Sequence, residues 1–327
     1  MKRRNCLAVL VVQALVCSAA TAQEVVRDSA GVFAAHDLEL LFDGGFFTEG
    51  PAMGPDGLLY FSDITFTESS GMQAGNLWRL DPETRRAEIY RSPSGMSNGL
   101  LFDLDGRVVA ALGADFGGRA VVRTDLSTGR SVIIAGLVDG RRLNSPNDLT
   151  IDESGRIYFT DPRYSGHEPM DQPVMGVYRI DTDGAVTRLI DDAGRPNGIL
   201  VSPDQRTLYV ASIESPWSGL NALVAYDLDA EGNVSNRRLV RDFRPESGPD
   251  GMAIDVLGRI YAARPASDPG VYVYSPAGEE LAFVRTPGQP TNAAFGVGAH
   301  DATLFITAGQ CVYRILTSTP GYHASRR

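Results

Sequence analysis

The sequence predicts an all-β chain folded as a six-bladed β-propeller with four-stranded blades. Three observations predict it. A short segment recurs six times at intervals near fifty residues, each copy keeps an oxygen-bearing side chain at its second position, and no long helical periodicity interrupts the copies.

Stacked on one another, the copies are TEGPAMGPDGLLYFSD, SNGLLFDLDGRVVAAL, PNDLTIDESGRIYFTD, PNGILVSPDQRTLYVAS, PDGMAIDVLGRIYAAR and TNAAFGVGAHDATLFITA. Their second residues are Glu49, Asn98, Asn147, Asn197, Asp250 and Asn292, spaced by 49, 49, 50, 53 and 42 residues. Within a copy, an apolar strand runs into a tight turn such as Asp56-Gly57, Asp105-Gly106, Ser154-Gly155 or Leu257-Gly258, and a β-branched or aromatic strand follows. A third strand recurs as Leu77-Trp78-Arg79-Leu80, Val177-Tyr178-Arg179-Ile180 and Val312-Tyr313-Arg314-Ile315. A fourth strand closes the first five units. The sixth unit lacks its fourth strand, and residues 38–42 (LELLF) are expected to supply it. That pairing closes the ring and covers an edge that would otherwise invite aggregation. A pair of β-sandwiches would not keep one polar residue in phase six times.

Residues 1–22 read as a secretory signal, with Lys2, Arg3 and Arg4 ahead of an apolar run and a small-residue stretch ending at Ala22. The run contains Gln13 and is too short for a spanning helix, so no stable membrane insertion is expected after cleavage, and Val16 before Cys17 argues against a lipid anchor. The chain is therefore expected to be exported, to the periplasm or beyond. The remaining divisions are a lead-in over 23–35, the propeller over 36–316 and a tail over 317–327. Cleavage removes Cys6 and Cys17 and leaves Cys311, so a mature chain without an intramolecular disulfide is expected. It also removes three positive charges, shifting the formal net charge from -10 to -13 and arguing against a nucleic-acid partner. The sequence does not indicate an oligomeric state.

The first strand of each propeller blade lines the central channel, so the six in-phase residues converge at one height on the axis. All six are oxygen donors, and two are carboxylates that would repel one another if buried without a cation. One divalent cation balances Glu49 and Asp250, and oxygen-only ligation favours Ca2+. Asn and Asp also cap turns generally, yet turn chemistry does not explain six in phase.

The stretches Glu49-Gly50-Pro51, Leu143-Asn144-Ser145-Pro146-Asn147-Asp148, Tyr158-Phe159-Thr160-Asp161-Pro162, Arg195-Pro196-Asn197-Gly198 and Pro249-Asp250-Gly251 resemble the gluconolactonase and regucalcin-like family of senescence marker proteins. The resemblance spans nearly all of residues 36–316. It implies a calcium-dependent lactonase, places the metal ligands on Glu49, Asn147, Asn197 and Asp250, and leaves Asn98 and Asn292 facing substrate or supporting the ligands. Independently, Pro146, Pro196 and Pro249 stand immediately before three of the four and restrict how those side chains are aimed.

Because the anchors begin the first strand, the loops between second and third strands share their face and the Asp-Gly hairpins lie on the other. Those loops offer Asp63, Asp161, Arg163, Tyr164, His167, Asp171, Glu214, Ser215 and Trp217, although Asp63 and Asp161 serve equally well as strand-end caps. His300, in the sixth hairpin turn, falls on the opposite face. Gly95-Met96-Ser97-Asn98-Gly99 matches a nucleophile-elbow pattern but opens a strand rather than a helix. The four histidines have no zinc spacing, and no dinucleotide or phosphate-loop signature occurs. The expected chemistry is hydrolysis of a small sugar lactone, with a metal-polarised carbonyl, an activated water and Asp250 or Glu49 as general base. A paraoxonase-like or phosphotriesterase-like hydrolase, or a non-catalytic calcium-stabilised binding propeller, is the alternative on the same scaffold.

Overall fold

In the second strand of the third blade, Tyr158 packs toward the fourth blade and the next residue, Phe159, toward the second. This period-two division is how a ring forms from repeated sheets: each buried strand presents one face to either neighbour, so both faces are apolar. The computed structural model describes residues 27–67, 71, 74–114, 116–166, 168–214 and 219–324. In place of one central core it has six apolar wedges, each between adjacent blades, such as Ala52, Tyr60 and Leu77 against Leu100, Val108 and Val122. A 3-10 turn spans Gly298–His300, and among the described residues no helix is long and apolar enough to cross a membrane.

The expected propeller is the observed fold. The first blade comprises Thr48–Met53, Leu59–Asp63, Asn76–Leu80 and Ala87–Arg91 as an antiparallel meander, and the next four blades repeat that order. The sixth takes three strands from Pro290–Phe295, Thr303–Ala308 and Cys311–Leu316, and its outermost strand is Glu39–Phe42, paired with Cys311–Leu316. Glu39 lies opposite Arg314 in that register and accepts a hydrogen bond from its Nε at 2.6 Å; Arg314 holds the Glu39 carboxyl below its ordinary range despite partial burial.

The inner strands meet closely at the channel. Gly99 N donates to Asn147 O at 2.8 Å, Gly198 N to Asp250 O at 3.0 Å and Gly251 N to Thr291 O at 2.7 Å, joining neighbouring blades by backbone hydrogen bonds. Side chains would prevent this approach: a Cβ on Gly50 would lie 2.2 Å from Asn98 O, and one on Gly251 only 1.9 Å from Asn292 Cγ. The anchors also interrupt strand pairing. The register shifts between Glu49 and Ala52, Ser97 and Leu100, Pro196 and Ile199, and Pro290 and Asn292, so a bulge re-aims the side chain in four blades. In the third and fifth blades the inner strands begin later, at Leu149 and Met252, and the anchors precede them.

Both terminal segments are more integrated than their description as lead-in and tail implies. Arg27–Asp28 adds a fifth strand to the fifth blade, opposite Phe283 and Ala282, and Phe33 bridges to Thr317. After the sixth blade the chain crosses the far end of the channel. Gly321 bridges to Asp255, Tyr322 N donates to Ile254 O, Gln205 Nε2 donates to the Tyr322 hydroxyl, and that hydroxyl donates to Glu153 Oε1. The tail thus ties the third, fourth and fifth blades together. The expected signal over 1–22 lies outside the described residues. Cys311 is fully buried in the sixth blade and is disulfide-bonded in the full-length chain.

Gly251→Ala is expected to lower stability by about 1–3 kcal/mol, the usual range for overpacking, because the added methyl has no room beside Asn292. Thermal melting checks this, and an unchanged melting temperature would refute the close-approach argument.

Candidate functional site

All six in-phase residues reach the channel wall. Glu49, Asn98, Asn147, Asn197 and Asn292 are buried, whereas Asp250 is partly exposed. The backbone geometry that carries them also steadies them: Glu49 Oε2 accepts from Gly50 N at 3.0 Å, and Asn292 Oδ1 accepts from Ala293 N at 2.8 Å.

A third carboxylate joins the two expected. Asp148, beside Asn147, is 6% exposed, with Oδ1 accepting from Leu149 N at 2.9 Å. Burial pushes its carboxyl up to about 7, even though Leu149 N–H and the Asn292 amide favour the charged form. Burial likewise raises Asp250 to about 8, with the Asp148 charge adding to the rise and an Asn197 hydrogen bond opposing it. Glu49 is raised well above the ordinary range by burial, then by Asp250 and Asp148. No cationic side chain offsets Asp148 or Asp250. The sequence carried one signal for Asp148: four anchors are followed by Gly, one by Ala, and only Asn147 by an acid.

Three carboxylates sharing a channel without a basic partner suit a bound cation, which would favour their ionised forms. Among the described residues no three Asp, Glu, His or Cys side chains by themselves form a metal cluster, so amides must complete a ligand set. Asn147 and Asn197 are the amides the sequence offers for that purpose. The Asn197 amide hydrogen-bonds to Asp250, which turns its N–H inward and leaves its carbonyl oxygen available.

The loop residues divide by function. Asp63 is fully buried and accepts from Phe46 N, Phe47 N, Asn76 Nδ2 and Trp78 Nε1, so it fixes the approach to Glu49. Asp161, also fully buried, accepts from Asn144 N at 2.8 Å and Ser145 N at 2.7 Å and holds the turn that presents Asn147. Burial raises its carboxyl to about 7 against those two bonds. Arg163, expected at the substrate, directs Nη1 to Glu168 O and Nη2 to Asn144 O, both at 2.6 Å, and so braces the same turn. Asp171 pairs with Arg119 at 3.2 Å, and Glu214 accepts from Leu220 N within its own loop. These residues are committed to the scaffold: Asp63, Asp161, Arg163 and Glu214 satisfy backbone groups, and Asp171 pairs with the Arg119 guanidinium.

Tyr164 does face the site. It is 36% exposed, loss of water and the nearby Asp250 charge push its phenol well above its ordinary range, and the Asn197 side chain hydrogen-bonds to it. The guanidinium of Arg195, a residue absent from the expected set, lies 4.6 Å from the centre of the Tyr164 ring. His167, Ser215 and Trp217 lie outside the described residues. His300 lies 3.7 Å from Glu83 in the turn after Leu80, on the hairpin side. A chamber of about 570 Å³ lies below the anchors, with Asp148 and Asn292 at its upper end, Met53, Leu100, Ile151 and Phe295 on its walls and Tyr322 and His323 across its far end. The anchors therefore separate a polar mouth from an apolar lower channel.

A profile of the family described as SMP-30/Gluconolactonase/LRE-like region matches residues 47–310. The chain is 36% identical over 297 residues to a gluconolactonase of Zymomonas mobilis subsp. mobilis, covering 84% of this chain and 80% of that one. It is 31% identical over 269 residues to the pentonolactonase XacC of Haloferax volcanii, covering 80% and 81%. The solved structure of a gluconolactonase from Xanthomonas campestris superposes with a TM-score of 0.77 at 28% identity, covering 91% of this chain and 95% of that one.

The channel carboxylates make stability depend on pH. An unfolded Asp titrates near about 3.9, so with the native values raised to about 7 and about 8 the native state keeps protons that the unfolded state has released. This contribution is fully present below the unfolded value and lost as pH rises through the native ones. In divalent-free buffer the melting temperature is expected to fall from about pH 5 to about pH 8, and an added divalent cation should restore most of it. The share due to Asp161 should not respond to the cation. A flat pH profile would contradict the electrostatic account.

Proposed function

Because the chain belongs to the SMP-30/Gluconolactonase/LRE-like family, we propose that it is a lactonase that opens hydroxylated sugar lactones with the aid of one calcium ion. The observation that carries this reading is the set of channel carboxylates, Glu49, Asp148 and Asp250, gathered among amides and without a basic partner. Glu49 and Asp250 would supply charged oxygens and Asn147 and Asn197 neutral ones, a hard donor set that suits calcium. When bound, such an ion polarises a carbonyl oxygen.

With three carboxylates rather than two, neutrality with a dication requires one retained proton. Asp148 is its natural holder: it is more buried than Asp250 and lies away from the mouth, at the upper end of the lower chamber. Asp250, the partly exposed carboxylate, accepts the proton of the water that attacks the lactone carbonyl carbon. The ring C–O bond then breaks, the ring oxygen takes the proton back from Asp250, and a hydroxy acid is released. Asn197 orients Asp250 through its amide, and Asp161 and Arg163 hold the turn that presents Asn147.

The described mouth is polar, with Tyr164 and Arg195, which favours a hydroxylated lactone over a bulky apolar phosphotriester. An aldonolactone should exceed an aryl phosphotriester by at least about tenfold in kcat/KM, or roughly 1.4 kcal/mol, on one calcium-loaded preparation; the reverse order would favour the phosphotriesterase reading. Exhaustive chelation should abolish lactone hydrolysis and lower the melting temperature, since binding to the native state stabilises it. Full activity without divalent cations would refute the metal assignment.

The same reading has residues 1–22 directing export. Mass spectrometry of the protein recovered outside the cytoplasm is expected to find Gln23 at its N-terminus, and an intact Met1 there would exclude cleavage.

A further inference from the structure

We propose that Arg195 determines specificity by receiving oxygen substituents on the lactone ring, remote from the carbonyl under attack. This inference rests on the lactonase reading and assigns part of the mouth to one side chain.

The repeat identifies the position. Two residues ahead of each anchor stand Phe47, Met96, Ser145, Arg195, Gly248 and Pro290, so one of six equivalent sites around the mouth carries a charge. Its two-residue offset from Asn197, with Pro196 fixing the intervening backbone, places Arg195 on the mouth face beside a proposed metal ligand. The side chain is held in three ways. Its Nε donates to Ile213 O at 2.8 Å, its guanidinium lies 4.6 Å from the centre of the Tyr164 ring, and the Tyr164 hydroxyl donates to Arg195 O at 3.0 Å. Tyr164 in turn meets Asn197 and feels the Asp250 charge, which connects the stacked pair to the reacting end of the site.

These contacts occupy one guanidinium nitrogen and one face of its plane. Among the described residues no carboxylate lies within ion-pair distance of Arg195, and its two terminal nitrogens have no acceptor, in contrast to Arg163, whose terminal nitrogens both bond to the scaffold. A planar fork held at Nε and by stacking is pre-organised to donate two parallel hydrogen bonds. Neighbouring hydroxyl oxygens on a sugar ring match that pattern, and an unsubstituted ring offers it nothing.

The test compares D-glucono-δ-lactone with δ-valerolactone, which has the same six-membered ring without substituents, using calcium-loaded wild type, Arg195→Met and Arg195→Lys. The Met side chain keeps apolar packing on Tyr164 and removes the fork. Arg195→Met is expected to raise KM for gluconolactone about tenfold with kcat within about twofold, to leave valerolactone kinetics within about twofold, and to keep the melting temperature near wild type. Arg195→Lys, which keeps charge without the fork, should recover only part of the gluconolactone KM, and it carries the comparison if the Met variant does not fold. Equal losses on both lactones, or a loss that follows a lowered melting temperature, would make Arg195 a structural brace and overturn the proposal. An unchanged gluconolactone KM would overturn it while leaving the lactonase reading intact. Failure of wild type to hydrolyse either lactone would overturn both.

Discussion

Inner strands of neighbouring blades come within backbone hydrogen-bonding distance at one level of the channel, where Gly99 N meets Asn147 O, Gly198 N meets Asp250 O and Gly251 N meets Thr291 O. The site is built around that contact. Glycine after the anchor permits the approach, the approach fixes the height of each anchor on the axis, and the bulges turn the anchor side chains inward. Six interblade wedges then hold the ring at the radius that keeps those strands together.

The same closeness creates an electrostatic cost. Glu49, Asp148 and Asp250 are brought into a water-poor channel that none of the loop arginines enters, and their carboxyls shift upward as a result. Asp63 shows the other fate of a buried acid in this fold: it accepts from two backbone amides, an Asn amide and an indole. One group of acids is satisfied by the protein, and the other lacks a positive charge. That difference in local supply, more than burial itself, distinguishes the scaffold from the site.

The ends of the chain close the structure twice. Glu39–Phe42 completes the sixth blade near the start of the ring, and the segment from Thr317 to Ala324 then crosses the hairpin side to reach Asp255, Gln205 and Glu153. The second closure covers the lower end of the channel with Tyr322 and His323, so the mouth carrying Tyr164 and Arg195 is the more polar approach to the anchors.

Blade number, strand order, the closing strand and the six in-phase anchors were all legible in the sequence. Each rests on local periodicity: alternation assigns faces within a strand, and a repeat near fifty residues places equivalent residues at equivalent heights. Tertiary structure decided what individual charged side chains do. Asp161 read equally as a substrate residue or a strand-end cap and Arg163 as a substrate residue; both serve the turn at Asn144 and Ser145, whose backbone groups need partners. Asp148 looked like a neighbour of the anchor and proved to be a third channel carboxylate, since the late start of its strand turns it toward the axis. Arg195 was visible only as part of a motif until Tyr164, thirty-one residues earlier, supplied the surface that holds it. Periodicity specifies where a side chain stands along its own strand, whereas its chemical role depends on donors, acceptors and charges brought beside it by distant segments.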